Sequence, residues 1–158
     1  MFIINMKSEI YKTFILLVII VTSLTACQDN KSENDKIKEV AEKFAYNYFN
    51  YQLEECKDYC TKESEKWISF VASNMDENDV RTLKDDLIIT QCIINTPEIY
   101  NDTTAFVTCE IDNFYNKDFI TGNTKREKLQ AKLKLVKKNN KWKVRMEGLP
   151  QNGKQNHD

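Results

Sequence analysis

The apolar residues of this chain change their spacing once, and that change restricts the fold more than any other feature. Before about residue 86 they recur at helical intervals. Ile37, Val40, Ala41, Phe44 and Tyr48 fall on one face of a helix. Ser32 or Asn34 can cap that helix, with acids in its first turn. "QLEECKDYC" forms a second short helix with Leu53, Cys56 and Cys60 on one face. Thr61 can open a third, "KESEKWISFVASNM", with Trp67, Phe70 and Val71 apolar. No Gly or Pro interrupts the chain from Cys27 to Thr96, which suits helices.

Beyond that point the period becomes two. "DLIITQCII" is apolar and β-branched. In "TAFVTCEID", Ala105, Val107, Cys109 and Ile111 alternate with Phe106, Thr108, Glu110 and Asp112. "LQAKLKL" sets Leu129, Ala131, Leu133 and Leu135 against Gln130, Lys132 and Lys134, and "KWKVRM" continues with Trp142, Val144 and Met146. Asn101-Asp102 and Asn139-Asn140 read as hairpin turns. Helices first and alternating strands afterwards define an α+β fold, with N-terminal helices packed on a curved antiparallel sheet whose other face is wet.

Three stretches, "VAEKFAYNYFN", "ECKDYCTKES" and "NNKWKVRM", resemble elements of the nuclear-transport-factor-2-like (cystatin-like, lumazine-binding-like) domains carried by many bacterial lipoproteins. The resemblance spans residues 35–147. It implies a cone with a concave pocket that binds a small apolar ligand, or a sheet that meets a protein partner or a second copy. Some members are isomerases or cyclases with a buried Asp base and Tyr or Asp donors. Phe44, Tyr48, Trp67, Val107, Cys109, Leu133 and Trp142 are the pocket-lining candidates, and each can equally be plain core. A structural scaffold role is the further alternative.

Lys7 and Lys12 precede an apolar run from Phe14 to Val21. A spanning helix needs roughly 20 apolar residues and a signal-peptide core roughly 7–15, so this run is too short to span. It leads into Leu24-Thr25-Ala26-Cys27, which resembles the lipobox of bacterial lipoproteins. Cleavage between Ala26 and Cys27 and acylation of the Cys27 thiol and the new amino terminus, in which palmitate is a usual chain, are implied. Each buried methylene adds about 0.8 kcal/mol, and two or more chains anchor stably. The chain therefore divides into a signal peptide (1–26), a lipidated tether (27–34), the α+β domain (35–148) and a flexible tail (149–158). The expected address is the cell envelope, at the outer membrane, on its periplasmic or surface face.

Four cysteines remain in the domain, and an oxidising compartment permits disulfides. With Asn101-Asp102 as the turn, Cys109 lies opposite Ile94 and diagonal to Cys92, so Cys92 and Cys109 can pair, or all four can be small core residues. Neither a zinc ribbon spacing nor Cys-x-x-Cys is present. His157 is the single histidine and there are three glycines, which removes histidine-based triads and glycine-rich phosphate loops. No catalytic residue, metal or cofactor is assigned. Residues 125–158 carry 11 basic and 3 acidic residues, while residues 27–86 carry 15 acidic and 9 basic. Outside the cytoplasm nucleic acid is not the partner. Ion pairs between neighbouring strands on the wet face account for the asymmetry, with Glu110 and Asp112 facing Lys132 and Lys134. Asp102-Thr103-Thr104 also resembles an O-glycosylation sequence of some exported bacterial proteins, and is equally a good turn.

Overall fold

The computed structural model describes residues 31–86 and 88–150. Residues 1–30, with Ala26 and Cys27, and residues 151–158 lie outside that range, as does Leu87. Among the described residues no helix is long and apolar enough to cross a membrane.

Helix α1 (Glu33–Phe49) starts at Ser32, whose hydroxyl accepts from Asp35 N while the Asp35 carboxylate accepts from Ser32 N. This reciprocal cap satisfies two of the amides a helix start leaves open. Ile37, Ala41, Phe44, Ala45, Tyr48 and Phe49 are its buried face. Glu33 in the first turn accepts from Lys137 Nζ at 2.7 Å and from Trp142 Nε1 at 3.0 Å, tying the helix to the sheet. The Lys137 bond, then the indole bond, hold the Glu33 carboxyl down at about 2. At the other end the Asn50 side chain exchanges two hydrogen bonds with the Thr90 backbone.

The second helix, α2 (Leu53–Cys56), is one turn followed by a 3₁₀ turn, Lys57–Tyr59. Thr61 does not cap a helix through its side chain. Its hydroxyl pairs with Ser64 Oγ at 2.9 Å, and a 3₁₀ turn at Lys62–Ser64 precedes α3 (Glu65–Ser73). That turn shifts the buried face of α3 to Ile68 and Val71, leaving Phe70 exposed against Phe119. A fourth helix, α4 (Glu77–Asp85), is capped by Asp76 and Asp79 in the same reciprocal way.

Strands β1 (Gln91–Ile94) and β2 (Glu98–Asn101) lie along one edge of β3 (Thr104–Lys117). Asn95, Thr96 and Pro97 separate them, and proline cannot donate to a ladder. On the other side of β3 follow β4 (Thr124–Lys138) and β5 (Lys141–Arg145), all antiparallel. The last hairpin turns at Asn139-Asn140, both at positive φ, which fits the twist of paired strands. The first turn sits one residue later than its sequence suggests, at Asp102-Thr103, because the Asn101 side chain accepts from Thr103 N and Oγ1. A slip between Ile99 and Asn101 absorbs part of the offset, and the β1–β2 break the rest, so Cys109 still pairs with Ile94.

The inward rows are as the alternation predicts: Ala105, Val107, Cys109, Ile111, Leu129, Ala131, Leu133, Leu135, Trp142 and Val144 are all buried. Helix α1 covers them, so helices pack against an antiparallel sheet in an α+β arrangement. Residues 60–64 close the β5 edge through Thr61 N to Val144 O at 2.9 Å and Met146 N to Ser64 Oγ at 2.8 Å.

On the wet face, Lys128 meets Asp112 at 3.1 Å, Lys132 meets Glu98 at 3.1 Å and Lys134 meets Glu147 at 2.7 Å. Asp112 and Glu98 come from earlier strands and Glu147 from the basic C-terminal segment itself, so the partners differ from those expected. Glu110 pairs across with Gln130 and accepts from Asn95 instead.

Candidate functional site

Strand β3 carries a bulge between Ile111 and Phe114, where Asp112 and Asn113 stand against Lys128 alone. Asn113 takes φ 58°, a conformation asparagine tolerates better than most residues. The extra residue bends the strand and exchanges its faces. Before the bulge the odd positions point inward; after it Phe114 and Asn116 do, opposite Glu127 and Lys125 of β4.

Beyond the bulge a cavity of about 350 Å³ opens between sheet and helices. Tyr48 and Tyr51 wall it from the end of α1, Val71 from α3, Phe114 from β3 and Leu129 from β4, with Leu149 and Pro150 near the rim. Two charged side chains of its lining pair with each other. Lys125 binds Glu127 at 2.8 Å, and Asn116 donates to the same carboxylate. The Lys125 bond is the main reason the Glu127 carboxyl sits below its usual range. Asp118 accepts from Ile120 N and Thr121 N.

Lys117 at the rim belongs to a second network. Its ammonium binds Asp79 and, at 2.9 Å, Asp76, and the Tyr115 hydroxyl donates to Asp79 at 2.9 Å. Asp79 is 2 % exposed. Burial alone would raise its carboxyl, but the bonds from Lys117, the Asp76 amide and Tyr115 hold it below the ordinary range. Lys117 is raised correspondingly by its two carboxylates. This buried pair fastens the polar helix α4 to β3 and forms one side of the cavity mouth. Arg126 adds to it, stacking over Tyr115 and binding Asp86 at 2.8 Å.

Of the seven pocket candidates, Tyr48 lies in this cavity wall. Phe44, Val107, Cys109, Leu133 and Trp142 are placed in the closed part of the core, where α1 lies directly on the sheet. Trp67 packs against that core with its indole N–H buried and unpartnered. The reason is the bulge: the open end is at residues 114–129, not under the middle of the strands. Tyr51, which the sequence allows to reach a pocket, does line the cavity, whereas Phe114, Glu127 and Leu129 carry no such expectation. A signal existed, since the inward row of β4 turns from Leu129 to Glu127 and Lys125, and a polar inward pair at a strand end marks an opening.

Cys92 and Cys109 sit diagonally on paired strands, and Cys56 and Cys60 lie close together near α2; all four are free thiols. Burial pushes Cys92 up to about 11 and Cys109 to about 12, the latter helped by Cys92. Among the described residues no group of three or more His, Cys, Asp or Glu is arranged to hold a metal ion.

No protein-family profile and no curated protein matches this sequence. Among solved structures it is similar to a Campylobacter jejuni protein named as an NTF2-like transpeptidase, with 19% identity over 69% of this chain and 96% of that one and a TM-score of 0.40. It is also similar to an NTF2-like protein involved in plasmid conjugation, with 16% identity over 72% of this chain and a TM-score of 0.41. This chain spans 46% of that second protein.

Proposed function

We propose that this is a lipoprotein of the bacterial cell envelope, held at the membrane through Cys27, whose nuclear-transport-factor-2-like domain binds a small ligand between helices and sheet. The observation that carries the binding role is the open, apolar-floored cavity of about 350 Å³, a volume within the range of roughly 300–1,000 Å³ usual for ligand pockets. The Lys125–Glu127 pair in its lining supports binding over proton transfer. The address is supported by Leu24-Thr25-Ala26-Cys27 behind a short apolar run.

Two measurements test the two halves separately. Cells fed a fatty-acid probe are expected to label the wild-type protein and to leave Cys27→Ser unlabelled; equal labelling, or none in either, removes the anchor. Native mass spectrometry of the full chain, released gently from its own membrane, is expected to show a retained small molecule beyond the lipid modification. If collisional activation releases nothing from a folded protein, the binding role loses its support.

A further inference from the structure

The positive charge of the sheet is concentrated at one hairpin. Residues 134–145 hold six bases and no acid. Lys134, Lys138, Lys141, Lys143 and Arg145 fall on the wet face by the alternation of β4 and β5, and Lys137 on the other. Lys138 stands directly opposite Lys141, and Lys134 directly opposite Arg145. Like charges in opposed positions destabilise a sheet. Elsewhere on this face lysines meet acids, Lys128 on Asp112 and Lys132 on Glu98. At the hairpin three carboxylates serve six bases: Glu33 binds Lys137, Glu63 lies 3.6 Å from Lys138, and Glu147 is shared by Lys134 and Arg145. Lys143 donates to the Asp58 carbonyl rather than to a carboxylate. Lys141 is exposed, and no acid among the described residues pairs with it.

This hairpin is also where the chain enters the domain. Helix α1 begins at Glu33, whose carboxylate accepts from Lys137 and Trp142 of the same two strands. Five residue steps separate Cys27 from Ser32, a reach of at most about 18 Å. A lipid on Cys27 therefore keeps the basic face within a short distance of the bilayer that holds it. The cavity, walled by Tyr48 and Tyr51, lies at the other end of this 17-residue helix, about 25 Å away. The whole chain carries a net charge of −1, so any attraction to an anionic surface belongs to this patch and not to the protein at large.

We propose that the wet face of the β4–β5 hairpin docks on the anionic phospholipid headgroups of the membrane that holds the Cys27 lipid, which turns the cavity end of the domain away from the bilayer. The proposal rests on the anchor reading above and adds an interaction surface and its partner. Acyl chains and a basic patch are separate signals that reinforce each other. Headgroup phosphates supply the counter-charge that the hairpin lacks and relieve the repulsion between Lys138 and Lys141.

Amine footprinting of the full chain tests it. Protein taken from its own membrane is reconstituted into vesicles of phosphatidylcholine, or of phosphatidylcholine and phosphatidylglycerol in equal parts. It is then acylated briefly with a water-soluble reagent, and mass spectrometry reads each lysine. On the anionic vesicles Lys138 and Lys141 are expected to react about fivefold more slowly than on the neutral ones. Their rates are expected to recover when salt is raised from about 0.1 M to about 1 M, which shortens the screening length from about 10 to about 3 Å. Lys128, on the same face of β4 and roughly 30 Å away, is expected to react alike throughout. Lys141→Glu is expected to return Lys138 to its rate on neutral vesicles. Equal rates on the two vesicles, slowing shared by Lys128, or slow Lys138 in Lys141→Glu overturns the docking surface and leaves the anchor standing. Slowing that survives about 1 M salt assigns the face to contact between protein copies and overturns it as well. Wild type that floats with neither vesicle at about 1 M salt overturns the anchor and this inference together.

Discussion

Replacing Asp79 by alanine is expected to lower the free energy of unfolding by about 3 kcal/mol, read as a fall in the urea midpoint at unchanged slope. Removing one partner of a buried ion pair typically costs about 3–5 kcal/mol, because the other charge stays buried and uncompensated. The low end applies because Lys117 keeps Asp76 at 2.9 Å. The same substitution removes the acceptor to which the Tyr115 hydroxyl and the Asp76 amide both donate. A double variant, Asp79→Ala with Lys117→Met, is expected to recover much of the loss, since an apolar pair avoids the desolvation that the charges suffer. If the double variant is no better than the single one, the cost lies in the helix cap rather than in the stranded ammonium.

The same pair sets a pH window. The Asp79 carboxyl is lowered by folding, so its contribution is present above its ordinary value of 3.8 and is lost as pH falls through its lower native value. Lys117 is raised, so its contribution is present below its ordinary 10.5 and is lost as pH rises through its higher native value. Stability from the pair is therefore flat between about pH 4 and pH 10. Asp79→Asn keeps the shape and is expected to flatten the acid limb, measured as the difference in urea midpoint between pH 3 and pH 6.

Helix α4 also marks where the sequence stops being legible. Its apolar positions are sparse, and Val80 is exposed, so no amphipathic stripe announces it. What holds it is a charge, Asp79, whose partner lies far along the chain on β3. Periodicity reads faces that meet apolar surface and is blind to a face fastened by one ion pair. The start signal was nonetheless present, since Asp76 and Asp79 have the spacing of a reciprocal cap. The sheet was far more legible, because each strand buries one face and a slip of one residue would expose its whole apolar row. That constraint is why Cys109 meets Ile94 although the turn itself sits one residue away from its expected place. The bulge at Asp112-Asn113 was the consequential omission. One extra residue reversed the inward row, and with it moved the cavity from Val107 and Leu133 to Phe114 and Leu129. Adjacent Phe114 and Tyr115, both buried, are the trace it leaves, since alternation cannot bury two neighbours on one face.

Phe44→Ala is expected to cost about 3–5 kcal/mol, as removal of a fully buried aromatic ring does when its surroundings cannot collapse. Phe44 is 0 % exposed. Its ring stacks on Tyr48, and its carbonyl accepts a weak bond from Cys56 Sγ at 4.0 Å. Collapse is limited because α1 is pinned at both ends, by Glu33 on Trp142 and by Asn50 on Thr90. Phe44→Leu keeps most of the volume and is expected to cost less than about 1.5 kcal/mol. A Phe44→Ala protein that unfolds within about 1 kcal/mol of wild type would mean that α1 does not press on the sheet at this point, and that the wall behind Tyr48 is softer than its packing indicates.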